Sequence, residues 1–153
     1  MAETMNQNYL YVGSLITSVI GAALLLFGDF AGWYWWDQYV EVTVWIGIYL
    51  DFSPSNLLVT PILLVAVALL AFCAYVSYLG LMDNLEDSFS RFGIFAAIAA
   101  IGIQLGVFMI FALINIIEDN AWWPDVGFYG GVIGGALTLT FLYLSNQQKT
   151  SFK

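Results

Sequence analysis

Four long apolar runs, at residues 9–28, 57–81, 92–117 and 126–144, divide the chain, and none holds an Asp, Glu, Lys or Arg in its interior. The hydrocarbon core of a bilayer is about 30 Å thick and takes roughly 20 helical residues to cross. Each run therefore predicts a transmembrane helix. The third is the longest and is expected to tilt or to project beyond the bilayer. Ser53, Pro54 and Ser55 punctuate the entry to the second run, and Pro61 falls in its first turns, where a missing N–H costs least. Asp87, Ser88 or Ser90 is placed to cap the third helix, and the tail after residue 144 is expected to fray.

The pattern changes period between the first and second runs, in the loop at residues 29–56. From Val40 onward Val42, Val44, Ile46, Ile48 and Leu50 alternate with Glu41, Thr43, Trp45, Gly47 and Tyr49. A period of two in β-branched and aromatic residues predicts a strand. Trp33 to Trp36 predict a shorter partner strand, with Asp37 and Gln38 in the turn. A lone hairpin is marginal in water, so its apolar face must pack on the bundle end, on the loop at residues 119–125 or on another protein. Gly47 predicts a bulge or a close backbone approach. The resulting fold class is an all-α membrane protein: a bundle of four transmembrane helices, in one membrane domain, with a small extracellular β-hairpin or sheet cap.

Composition sharpens this reading at two points. Hydrophobic residues make up 61% of the 153 and charged residues 9%, a balance that excludes a soluble or nucleic-acid-binding role. The N-terminus lacks the basic residues that open a signal peptide, so the first run is expected to be retained as a span. The only basic residues are Arg91, Lys149 and Lys153. With four spans they share one side with both termini, and the positive-inside rule makes that side the cytoplasm of a multi-pass cell-membrane protein. All six tryptophans then fall on the outer side: Trp33, Trp35, Trp36, Trp45, Trp122 and Trp123. An interfacial belt accounts for Trp33, Trp122 and Trp123 beside the helix ends. A folded cap accounts better for a distribution so one-sided. Asp29, Asp37, Glu41, Asp51, Glu118, Asp119 and Asp125 collect on the same side.

Candidate chemistry is sparse. Histidine is absent, which removes the usual triads and most zinc or haem sites. The outer carboxylates form no motif that fixes a catalytic pair or a Ca²⁺ loop, so no enzyme activity, cofactor or metal is expected. Cys73 reads as a small packing residue in an apolar helix. In the fourth run Gly127, Gly131 and Gly135 recur every fourth residue beside Gly130 and Gly134, and the first run offers Gly13 and Gly21. Such spacing lets helix backbones approach closely in lipid. Ala96, Ala100, Gly102 and Gly106 extend the same reading to the third run. Gln104 and Asn115 are its polar residues; they predict hydrogen bonds across helices or, alternatively, the lining of a small channel or transporter.

Four spans, cytoplasmic termini, a strand-forming first outer loop and a long third helix together resemble the claudin and peripheral myelin protein superfamily. That family carries an early tryptophan in the first outer segment, then Gly-Leu-Trp, then two cysteines. Trp33, with Trp35 and Trp36 as rivals, stands for the first, and Gly47-Ile48-Tyr49 is similar to the second. Both cysteines are missing here. The resemblance implies a structural or adhesion protein, or an accessory subunit of a membrane complex. Its expected partners are membrane lipid and another membrane protein or a second copy. The residues expected to make the contact are Trp33, Trp35, Trp36, Trp45, Gly47, Tyr49, Trp122 and Trp123.

Overall fold

The computed structural model describes residues 2–35, 38–43 and 54–151. Four long helices carry most of them: α1 (Ala2–Phe27), α2 (Pro54–Leu81), α3 (Asp87–Ile117) and α4 (Val126–Ser151). Each is long and apolar enough to cross a membrane. Three short strands accompany them: β1 (Asp29–Trp35), β2 (Gln38–Thr43) and β3 (Trp122–Pro124). Each helix packs on its neighbours in sequence, and α4 closes the ring against α1. The strands gather at the end of the bundle where α1 and α3 finish and α2 and α4 begin.

Helix ends depart from the apolar runs because the polar flanks continue the hydrogen-bond ladder. α1 starts well before residue 9, and α4 runs on to Ser151 through the tail expected to fray. α2 opens at Pro54, a favourable first-turn position, which leaves Pro61 inside the helix. The N-cap of α3 is Glu86, without a side-chain cap bond, rather than Asp87, Ser88 or Ser90. Ser90 is buried and turned to another task, its Oγ donating to Asn146 Oδ1 of α4 at 3.3 Å. Asp87 lies in the first turn of α3, where a carboxylate suits the helix dipole.

α2 and α3 both end in the same six-residue hydrogen-bonded turn. Asn84 N donates to Leu79 O at 3.1 Å and Asn120 N to Asn115 O at 2.9 Å, around Asp83 and Asp119 at φ 56° and 57°. This is the Schellman stop, with aspartate at the left-handed position that glycine usually fills.

Leu25, Leu63, Leu70 and Leu142 are buried between the helices, and small polar residues join them there. Ser14, Ser18, Ser77, Thr138 and Gln104 are all fully buried. Ser77 Oγ lies 2.7 Å from Ser14 Oγ, tying α2 to α1, and the Thr17 and Thr138 hydroxyls meet at 2.9 Å between α1 and α4. Cys73 is buried with its Sγ 3.4 Å from Gly93 O.

The two glycine rows of α4 serve different neighbours. A Cβ on Gly134 would stand 2.6 Å from the Gly21 Cα, and one on Gly130 would meet Leu24, so this row seats α1. Gly135 faces Ile101 of α3, and Gly131 is covered by the Gln104 side chain. Gly127 lies under the Gly28 and Asp29 backbone, and Gly13 under the Phe141 ring. Gly102 and Gly106 differ from expectation: a Cβ on either would meet nothing within 4 Å, because they sit on the outward face of α3.

Candidate functional site

The sheet is antiparallel in the order β2-β1-β3. The expected hairpin is present in β1 and β2, but β1 begins at Asp29, ahead of the tryptophans. The alternating segment is described as far as Thr43. Trp36, Asp37, Trp45, Gly47, Tyr49 and Asp51 lie outside the described residues, and Trp35 is described only as backbone. The third strand was unforeseen; it comes from the segment considered only as packing for the hairpin.

Register fixes which side chains share a face, because directly opposed residues point the same way. Ala31 pairs with Val42 and Pro124, and Trp33 with Trp122. Ala31 is fully buried and Val42 packs on the core, so this is the inner face. Trp33 meets Phe111 of α3 with centroids 5.7 Å apart, and Trp122 meets Phe108 at the same separation, both edge to face. Phe108 also stacks on Phe128 at 4.3 Å, and Phe128 meets Phe30 at 5.6 Å. An aromatic seam thus binds the sheet to α3 and α4. Asp29 pairs with Thr43 and Ala31 with Val42, so Phe30 is the extra residue of a β-bulge. The bulge re-aims the chain and lets both Phe30 and Ala31 be buried, which strict alternation forbids.

The opposite face carries Gly32, Tyr34 and Trp123. Gly32 pairs with Trp123, whose indole lies across it; a Cβ there would come within 2.6 Å of the ring. Tyr34 leans on the same indole at 5.3 Å and is 51% exposed. The tryptophans expected to act together therefore divide, Trp33 and Trp122 inward and Trp123 outward. Backbone bonds lock β3 in place: Tyr34 N donates to Ala121 O at 2.9 Å and Asp125 N to Phe30 O at 3.1 Å.

The described carboxylates near the sheet make local hydrogen bonds. Asp125 Oδ1 accepts from Val126 N at 2.7 Å, and Glu118 Oε2 accepts from Asn120 Nδ2 at 3.0 Å. Among the described residues no three His, Cys, Asp or Glu side chains are grouped to hold a metal. The polar pair of α3 is turned to local bonds. Gln104 Nε2 donates to Ala100 O at 3.0 Å and Asn115 Nδ2 to Phe111 O at 2.9 Å. Asn115 Oδ1 also accepts from Asn120 Nδ2, whereas Gln104 Oε1 is buried without a hydrogen-bond partner. Neither amide bridges two helices. At the far end of the bundle a cavity of about 150 Å³ is lined by Gln7, Asn8, Tyr11, Gly80, Asp83 and Leu85. Comparison with protein-family models, with curated proteins and with solved structures finds no match to this chain.

Proposed function

We propose that this chain is a multi-pass integral membrane protein of the cell membrane that performs no reaction of its own and holds its sheet outside, against another protein. The membrane placement is supported by the apolar outer surface of the bundle. Serine, threonine and glycine share the helix contacts with buried leucine and alanine, while the larger apolar side chains Ile16, Val65, Phe95, Met109, Ile110 and Ile133 point outward. In water such a surface would be an aggregation liability; in lipid it is the favourable one. Orientation is supported by Arg91 and Lys149, at the bundle end away from the sheet, which the positive-inside rule assigns to the cytoplasm with both termini. A claudin-like structural or adhesion role, or that of an accessory subunit, is the form of this reading that the sequence resemblance favours.

The observation that carries the contact role is the pair Tyr34 and Trp123 on the sheet's outer face. Tyr34 is half-exposed and backed by the partly buried Trp123, and such aromatics on a rigid support are the residue types that dominate protein interfaces. The test places a photo-crosslinking amino acid at position 34, and a control at Ile98 on the apolar flank of α3, in cells expressing the full chain. A protein adduct from position 34 and lipid adducts from position 98 are expected. Lipid adducts alone from both positions would overturn the contact role.

A further inference from the structure

The sheet end of the molecule has no cation of its own. Residues 29–56 and 118–125 contain Asp29, Asp37, Glu41, Asp51, Glu118, Asp119 and Asp125 and no Lys, Arg or His. The pairing of β1 with β3 brings Asp29 to the same end as Glu118, Asp119 and Asp125, which flank β3. All three basic residues of the chain are remote. Arg91 is in the first turns of α3, and Lys149 and Lys153 are at or beyond the end of α4. A helix of 26 residues at 1.5 Å each is roughly 40 Å long, several Debye lengths at physiological salt. No basic residue of the chain therefore lies near Asp29, Glu118, Asp119 and Asp125.

We propose that the outer face of the sheet docks an arginine- and lysine-bearing segment of a different membrane protein. This rests on the contact role argued above and names the chemistry of its partner. Two features of the face fit the same occupant. The carboxylates supply steering and rim pairs, and Tyr34 beside Trp123 supplies aromatic surface on which a guanidinium stacks. Charge also decides against a second copy of this chain. Two copies meeting sheet to sheet would bring Asp29, Glu118, Asp119 and Asp125 against the same four acids, and side by side in one membrane their sheet ends again lie level, away from the neighbour's basic residues. Anionic lipid is repelled for the same reason.

The experiment uses the full chain in nanodiscs of phosphatidylcholine and, as probe, a ten-residue peptide of alternating arginine and serine. Three variants are compared: Glu118→Gln with Asp119→Asn at the sheet, Glu86→Gln with Asp87→Asn at the far end, and Tyr34→Ser. Binding is expected to weaken with rising salt and to fall about tenfold for the sheet pair. It should fall also for Tyr34→Ser and hold for the far-end pair. Equal losses from the two carboxylate pairs would reveal attraction to net charge alone and overturn the proposal. The adduct at position 34 is then repeated with the sheet pair neutralised. Its persistence at full yield would overturn the basic partner while leaving the contact role intact; absence of any protein adduct from the unmodified sheet would remove the contact role itself.

Discussion

At the scale of single residues, the glycines of this bundle fall into two kinds that the sequence does not separate. Gly134 is closed off by backbone: a Cβ meets the Gly21 Cα at 2.6 Å, which no rotamer change relieves. Gly134→Ala is therefore expected to force α1 and α4 apart and to cost about 1–3 kcal/mol, the range for overpacking a filled interior. Gly102→Ala adds a methyl to open space on α3 and removes a helix-interior glycine, so it should be neutral or stabilising by up to about 1 kcal/mol. Unfolding in mild detergent, followed by circular dichroism, measures both; equal effects would refute the packing described. Asp83 makes the complementary case. Its φ of 56° is a left-handed geometry that strains a side chain, so Asp83→Gly should hold or raise stability, by no more than about 1 kcal/mol because glycine also loosens the unfolded chain.

At the scale of elements, the four helices were legible because an apolar run of spanning length has one dominant reading, and the part of the alternating segment from Val40 to Thr43 was legible because a strand has a period of two. Two features of the sheet were not. The three residues of β3 are too few to show a period, and Trp122 and Trp123 beside a helix end look like belt residues until their pairing with Trp33 and Gly32 is known. The bulge at Phe30 breaks the alternation that would otherwise announce β1. Burial of aromatic rings against α3 overrides both local signals. Phe108 is the joint, touching Phe30, Phe111, Trp122 and Phe128. Phe108→Ala should loosen the sheet at a cost on the order of 3 kcal/mol, seen as a red shift of tryptophan emission and faster proteolysis between α1 and α2, with the helices intact. Gln104 separates the contact role from a channel. Its amide bonds to its own helix while its Oε1 is buried against Gly131, so Gln104→Met removes an unpaired acceptor and should leave stability unchanged within about 1 kcal/mol. Ion or solute flux in liposomes that vanishes with this substitution would favour the channel instead.

At the scale of the whole molecule, two contrasts organise the rest: large apolar residues crowd the outer surface around a core that includes buried hydroxyls, and Trp33, Trp122 and Trp123 lie at one end with Arg91 and Lys149 at the other. The first contrast is compatible with a lipid surround, since all four helices are long and apolar enough to cross a membrane. The proposed direction rests on the second, and it is testable with the chain's own lone thiol out of the way. Cys73 is buried between α2 and α3 and gives little background to an aqueous maleimide. Ala121, exposed beside β3, and Asn84, exposed between α2 and α3, mark the two ends. Intact cells treated with a membrane-impermeant maleimide should label Ala121→Cys directly and Asn84→Cys only after permeabilisation. The reverse pattern would leave the bundle and its sheet as described but turn the sheet toward the cytoplasm, where the positive-inside argument fails and any basic partner must be an intracellular one. Labelling of both positions in intact cells would mean that the four helices do not span the bilayer, and the apolar outer surface would then need another apolar surround, such as a larger assembly closing over it.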